Sequence, residues 1–194
     1  MTQHFVTVED GGNVIRGLAV PFGESAYFVD KDDKVVAEQF DEESVQTLPS
    51  QIPLLVSHDR HRAPAGIVTT AGITSFGIGI EARLVGSDDE VEGWRRKLAA
   101  GLMASLSIGF TSQGRQVWRV PERRGAPPMV IRRSVEIVEI SLVNWPAYDG
   151  ATVVSLSQRT AEDDIAHSTS ERLIAEYRDE QLRTQQWLAS RARR

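Results

Sequence analysis

Polar and apolar residues alternate along most of the chain, and this pattern predicts many short strands. Residues 3–9 alternate, 10–13 are typical of a turn, and 14–22 are apolar, which together predict a β-hairpin. Residues 23–33 are polar and acidic and predict a loop. Further strands or extended segments are predicted at 34–40, 52–56, 65–70, 73–85 (one long strand or a hairpin), 111–120, 130–143 and 151–156.

Two helices are predicted within this strand-rich part. Residues 41–48 start with an N-cap aspartate and first-turn acids, and a proline follows them. The clearer helix begins at Ser87, with Glu90 three residues later as in a capping box, and Gly101 is a natural residue to end it. Its apolar positions recur at helical spacing and are Val91, Trp94, Leu98 and Leu102.

Many strands with only one strong helix predict a mainly β fold with flanking helices, an α+β protein built on a β-barrel. Residues 158–194 differ in composition, since they contain neither proline nor glycine and carry seven arginines against seven acids. We therefore predict one domain over 1–157 and a helical C-terminal tail, or partner-binding segment, over 158–194.

Composition excludes several classes of function. The 194 residues include 22 basic and 27 acidic side chains, a formal charge of −5, which disfavours nucleic-acid binding. Without cysteine the chain has no disulfide, thiol nucleophile or cysteine-ligated zinc. No window approaches 18 consecutive apolar residues, and the N-terminus lacks a basic start followed by an apolar run, so a soluble protein inside a cell is expected.

A serine stands where an apolar strand would otherwise bury only hydrocarbon. In a strand, Leu106 and Ile108 point one way, while Ser105, Ser107 and Gly109 point the other. The glycine leaves space beside Ser107 for a reacting carbonyl group. The same small residues are also typical of a place where another backbone packs closely.

His58 follows the apolar run 52–56 and is a candidate base, because imidazole is the usual proton acceptor for a serine hydroxyl. It can equally be a surface or structural histidine. His61 competes with it, and Ser57 to Arg62 can also be interpreted as a metal-binding or phosphate-contacting loop. Two histidines without a third ligand are weak evidence for a metal, and the arginines oppose a bound cation.

Glu139 is an acid within an apolar strand, where a buried carboxylate needs a partner. A protonated histidine would be one partner, and Arg132 or Arg133 would be another. Exposure to water on an edge strand is a third possibility. Strand alternation puts Glu136 on the opposite face with Val138 and Ile140, so the pattern does not choose between the two acids.

Three stretches together resemble the prohead (capsid maturation) proteases of tailed bacteriophages. They are Ser57-His58-Asp59 after an apolar strand, Ser107-Ile-Gly-Phe110 after a helix, and Glu139-Ile-Ser-Leu-Val143 before Pro146-Ala147. These HK97-type serine peptidases are distantly similar in fold to herpesvirus assemblin. The resemblance also includes Gly17-Leu-Ala-Val-Pro-Phe-Gly23 and Pro64-Ala-Gly-Ile-Val68, and spans roughly residues 13 to 155.

The resemblance implies that Ser107 is the nucleophile, His58 the general base and Glu139 the acid that orients the base. Herpesvirus relatives have a second histidine in the third position, and many phage members have asparagine where this chain has Ser57. The resemblance further implies an assemblin-like barrel and a serine endopeptidase without metal or organic cofactor. Its substrates would be the major capsid protein, its scaffolding segment and the enzyme itself, inside assembling proheads in the host bacterial cytoplasm, with a homodimer suggested by the herpesvirus relatives.

Alternatives remain at this point. Ser105 is a rival nucleophile, and the oxyanion hole has two candidates, the backbone amides near Ser107 and the pair Arg132-Arg133. The whole protein is alternatively an inactive structural or scaffolding protein of capsid assembly, or a small metal- or phosphate-dependent enzyme that uses His58 with its neighbours Asp59 and His61.

Overall fold

Twelve strands and one helix form the regular structure of the residues described in this computed structural model, which are 7–8, 12–45, 47–114, 116–120 and 125–157. The helix, α1, is Asp88–Ala99. The strands are β1 (Thr7–Val8), β2 (Val14–Pro21), β3 (Ala26–Val29), β4 (Val35–Gln39), β5 (Ile52–Val56), β6 (Gly66–Thr74), β7 (Gly77–Leu84), β8 (Ser105–Ser112), β9 (Val117–Arg119), β10 (Met129–Ile131), β11 (Val135–Val143) and β12 (Thr152–Ser157).

Seven strands close into a barrel in the order β12, β2, β7, β6, β5, β11 and β8, and β8 meets β12 to complete the circle. Neighbouring strands in the barrel are antiparallel except β5 and β11, which are parallel. Inward-facing apolar side chains fill the interior, as the period of a strand requires. The barrel confirms the predicted mainly β fold. Its fully buried side chains include Ile15, Ile52, Leu54, Ile78, Ile80, Leu106, Ile140 and Leu142.

A second, four-stranded sheet lies in the order β3, β4, β10 and β9. Phe40, directly after β4, makes edge-to-face contacts with Phe110 on β8 and with Tyr148. The Tyr148 hydroxyl donates to Glu38, which also pairs with Arg132. Burial, helped by the Glu38 carboxylate, raises the pKa of the Tyr148 phenol. The phenol therefore stays protonated and keeps donating to Glu38.

The helix α1 starts directly after Ser87 and ends shortly before Gly101, as these two residues predict. Ser87 and Glu90 form the capping box, and hydrogen bonds from Ser87 lower the pKa of the Glu90 carboxyl. Leu98 is buried, and Gly101 has a φ of +72° just past the helix. Leu102 was predicted on the apolar side of the helix, but it lies beyond the helix end and is exposed. The connection then delivers the chain into β8.

The helix predicted over 41–48 is wrong, because the described part of this range forms only a turn, at residues 42–44. The Ser44 hydroxyl accepts a hydrogen bond from the Asp41 amide and donates to the Arg132 carbonyl. The Ser44 carbonyl accepts from the Val135 amide. The Ser44 hydroxyl and carbonyl, which a helix would use internally, are thus bonded to Arg132 after β10 and to Val135 at the start of β11.

Two N-terminal predictions are also wrong. The hairpin of residues 3–9 with 14–22 is not formed by the described residues of these ranges, since β1 pairs in parallel with β12, and β2 lies between β12 and β7. The loop predicted at 23–33 contains β3, which forms a hairpin with β4. In that hairpin the Asp30 carboxylate accepts hydrogen bonds from the amides of Asp32 and Lys34. Long-range pairing and an aspartate-stabilised turn therefore override the local pattern.

Each of the two longest predicted segments, 73–85 and 130–143, contains parts of two strands in the structure. Residues 73–85 belong to a hairpin, because β6 ends at Thr74 and β7 begins at Gly77. The single strand predicted over 130–143 is wrong, since β10 and β11 lie in different sheets. The break comes at Ser134, which has a φ of +50° and interrupts an extended strand. Strands at 52–56 and, with small shifts, at 34–40 and 151–156 are confirmed, whereas the predicted tail over 158–194 lies outside the described residues.

Candidate active site

A β-bulge in β11 sets the face on which Glu139 lies. Ile137 pairs with Phe110 and Glu139 with Gly109, so Val138 is an extra residue without a partner on β8. The alternation therefore shifts by one residue at this point. Two core side chains precede the bulge and two follow it, namely Val135, Ile137, Ile140 and Leu142.

Because of the bulge, the side chains of β11 do not lie on the faces that a regular alternation predicts. The uninterrupted alternation would group Glu136, Val138 and Ile140, but Ile140 is buried in the core while Glu136 and Val138 are exposed. Without the extra residue, Glu139 would follow Ile137 into the apolar interior. With it, the carboxylate lies on the outer face of the barrel wall, where polar partners are available.

Glu139 is only 2% exposed and its carboxylate has two polar partners. The Nδ1 atom of His58 lies 2.6 Å from Oε1, and the hydroxyl of Ser141 donates to Oε2 at 2.7 Å. An ionised carboxylate only accepts hydrogen bonds, so this contact assigns the ring proton of neutral His58 to Nδ1. The Nε2 atom is then left as a hydrogen-bond acceptor, as a general base requires.

His58 occupies a tight turn over 56–59, immediately after β5. The turn is closed by a hydrogen bond of 3.0 Å between its first carbonyl and last amide, and its central residues, Ser57 and His58, have φ values of +51° and +59°. Two left-handed residues that are not glycine are unfavourable by roughly 1–2 kcal/mol each. Two bonds to β11 offset this: the Ser57 amide donates to the Leu142 carbonyl, and the His58 amide donates to the Ser141 hydroxyl.

Ser107 lies on the neighbouring strand and on the same face. It is directly opposite Ser141 in the antiparallel pair of β8 and β11, so the two Cβ atoms lie about 5 Å apart. Leu106 is buried in the core and Ser107 is half-buried. Across the described residues no hydrogen bond joins the Ser107 hydroxyl to His58, which is common in unliganded sites.

Gly109 leaves the space that the Glu139 carboxylate occupies. A Cβ atom added at Gly109 would lie 2.4 Å from Oε1 of Glu139 and 2.9 Å from its Cδ and Cγ. Glu139 thus lies against β8, two residues along the strand from Ser107 and on the same face. From the sequence, Gly109 was expected to leave space for a substrate. In the structure, that space is filled by the Glu139 carboxylate.

We expect Gly109→Ala to lower the rate of the peptide cleavage that the resemblance implies by on the order of 100-fold, because Glu139 must move away from His58 to make room. Overpacking should also cost about 1–3 kcal/mol of unfolding free energy. Gly93→Ala is the matched control, since a Cβ added at Gly93 in α1 meets nothing within 4 Å. Thermal unfolding and cleavage rates of both variants check this, and equal activity of the two would contradict the packing argument.

Two sequence-based candidates have other partners. Arg132 pairs with Glu38, and Arg133 pairs with Asp41 and Glu43. Neither arginine is the partner of Glu139, and the guanidinium groups of both are paired with other carboxylates. Of the two oxyanion candidates, the backbone amides near Ser107 therefore remain the better supported.

The remaining candidates lie around the same site. Ser105 is the first residue of β8 and lies opposite Val143 and Thr152. It is two residues before Ser107 and on the same face. Asp59 accepts a hydrogen bond from the His61 amide and pairs with Arg62. Nowhere in the described ranges do three histidine, aspartate or glutamate side chains cluster closely enough to hold a metal ion.

The sequence pattern gives no role to Ser141, although Ser141 lies in one of the stretches that carry the resemblance, and it does not predict that Gly109 makes room for Glu139. Ser141 is fully buried in an apolar strand, two positions from the acid, and this was the signal available. Its importance depends on the bulge, which brings residues 139 and 141 to the same face as Ser107 and out of the core.

A family model described as Caudovirus prohead serine protease matches residues 3–165. The matched range contains the complete barrel and all three predicted site residues. A comparison with curated proteins found no match. Within the described residues, no helix has the length and apolar character needed to cross a membrane.

Proposed function

Because this chain belongs to the caudovirus prohead serine protease family, a family of phage head maturation proteases, we propose that it cuts peptide bonds with a Ser107, His58 and Glu139 triad. The contact that carries this proposal is the 2.6 Å hydrogen bond between His58 and the buried Glu139. It is supported by the register, which puts Ser107 beside these groups on the next strand. A serine, a base and an acid that orients the base are the three parts that the chemistry requires.

In the proposed reaction, Nε2 of His58 takes the proton of the Ser107 hydroxyl as its oxygen attacks the peptide carbonyl. Glu139 keeps the proton on Nδ1 and stabilises the imidazolium that forms. The imidazolium gives its proton to the leaving amine, and an acyl-enzyme remains on Ser107. A water molecule, deprotonated by His58, then releases the acyl group and restores the serine.

The substrates we propose are the major capsid protein with its scaffolding segment, and the protease itself. Cleavage would occur inside assembling proheads in the cytoplasm of the host bacterium. Family membership supports a role in head maturation, and these specific substrates extend it. A homodimer, as in the herpesvirus relatives, is a further part of the proposal. So is a role of the segment over 158–194 in binding a partner and packaging the protease inside the shell.

We expect His58→Ala to abolish cleavage when the chain is co-expressed with its capsid precursor, because no base remains for Ser107. His61→Ala is the matched control, since His61 lies in the same loop but contacts Asp59 only through its backbone amide. Gel analysis of the capsid band checks both variants. A shortened band with wild type and His61→Ala, but not with His58→Ala, is the expected result.

The same experiment separates the alternatives. An unprocessed precursor with every form of the chain would favour an inactive scaffolding protein. Loss of activity in both histidine variants, together with loss on chelation, would favour the metal-dependent enzyme. Either result would overturn the proposed triad.

A further inference from the structure

The Ser141 hydroxyl joins the two halves of the proposed site. It donates to Oε2 of Glu139 at 2.7 Å and accepts from the His58 amide at 3.1 Å. Ser141 is fully buried on β11 and lies directly opposite Ser107 on β8. One side chain thus hydrogen-bonds both the proposed acid and the backbone of the proposed base, and it lies directly opposite the proposed nucleophile.

Both hydrogen bonds need a hydroxyl. Glu139 accepts only, so its second oxygen requires a donor, and the His58 amide donates only, so it requires an acceptor. A hydroxyl is the smallest side-chain group that does both at once. An apolar residue of the same size would leave a buried carboxylate oxygen and a backbone amide without these partners, at a cost of roughly 1–3 kcal/mol for each.

The two bonds also restrict the geometry of the site. The bond to Oε2 prevents the carboxylate from rotating about its last bond, so that Oε1 stays directed at Nδ1. The bond to the His58 amide holds a residue in the left-handed conformation, from which it would otherwise relax. Displacement of either group by 1 Å would lower the rate by on the order of 100-fold.

We propose that Ser141 is a positioning residue of the protease, which fixes the Glu139 carboxylate and the His58 turn relative to Ser107. This inference rests on the proposed triad and extends it by a fourth residue that does not touch the substrate. Its effect is on kcat, because the groups that it holds act on the reacting atoms and not on the remainder of the peptide.

The test compares Ser141→Ala, which removes the hydroxyl, with Ser141→Thr, which keeps it and suits a strand. The matched control is Ser44→Ala, because Ser44 is also fully buried and its hydroxyl also accepts from a backbone amide while donating to an oxygen atom. Both alanine variants should lose similar stability. Cleavage of purified capsid precursor then separates their catalytic effects.

We expect Ser141→Ala to lower kcat by about 10- to 100-fold with little change in KM, while Ser44→Ala retains kcat and Ser141→Thr restores most of it. The Nδ1 proton of His58 gives a second readout that does not depend on activity. Its short hydrogen bond should produce a strongly downfield proton NMR signal in wild type, which is lost in Ser141→Ala and kept in the threonine and Ser44→Ala variants.

Two outcomes would overturn the positioning role. One is an unchanged Nδ1 signal and kcat in a folded Ser141→Ala variant; the other is an equal loss in Ser141→Ala and Ser44→Ala, which would mean that stability alone is affected. A wrong assignment of the catalytic triad would give another result. The NMR signal would respond to Ser141→Ala as expected, but the Ser107→Ala variant would still cleave the precursor.

Discussion

Replacement of Ser107 by alanine is expected to reduce kcat/KM for cleavage of the proposed capsid substrate by at least about 10⁴-fold, because the proposed acyl-enzyme cannot form without the hydroxyl. The fold should be unaffected, since Ser107 is half-buried and alanine is smaller. Purified variant and wild type, compared by the rate of appearance of the shortened capsid protein, provide the measurement.

Ser105→Ala is the control for this variant. Ser105 points to the same outer face of β8 but lies opposite Val143 and Thr152, whereas Ser107 lies opposite Ser141 beside the acid and the base. We therefore expect Ser105→Ala to retain most of the activity. The reverse pattern, with an active Ser107→Ala and an inactive Ser105→Ala, would move the nucleophile by one position along the face and leave the reaction class unchanged.

Glu139→Gln is expected to lower kcat by on the order of 10³- to 10⁴-fold while the barrel stays folded. The amide that replaces the carboxylate has the same shape, but it carries no charge to stabilise the imidazolium. Its NH₂ group can also donate to Nδ1, which would place the ring proton on Nε2 and block proton transfer from Ser107. Steady-state kinetics of the purified variant check this.

The matched control is Glu136→Gln on the same strand. Glu136 is exposed and lies opposite Thr111, and its carboxylate accepts a hydrogen bond from the Gln113 side chain instead of from His58. Its activity should stay close to that of wild type. Equal losses in the two variants would indicate a general effect of charge on β11, and an active Glu139→Gln would leave only Ser107 and His58 in the catalytic machinery.

Local chemistry was sufficient to predict the parts of this fold that short-range contacts determine. The strand at Ile52–Val56, the capping box of Ser87 and Glu90, and the outward face of Ser107 each follow from residues a few positions apart. The turn that holds His58 does not follow from the sequence, because positive φ is uncommon for residues other than glycine and neither central residue is a glycine. Asparagine adopts this conformation more readily than serine.

Long-range pairing determines the parts that the sequence did not predict. The partner of β1 is β12, more than 140 positions away, and Ser44 is bound to the segment between β10 and β11 instead of to its own helix. The bulge at Val138 leaves no mark in composition, since an apolar residue in an apolar strand has the same appearance with or without a partner. Glu139 and Glu136 could therefore not be distinguished from the pattern alone.

The additional residue at position 138 makes the length of β11 a constraint in its own right. Deleting a single codon there would leave the hydropathy of the segment almost unchanged, yet it would exchange inside and outside for every later residue of the strand. The Glu139 side chain would then point into the apolar interior of the barrel. The number of residues in this segment is therefore constrained independently of their identity.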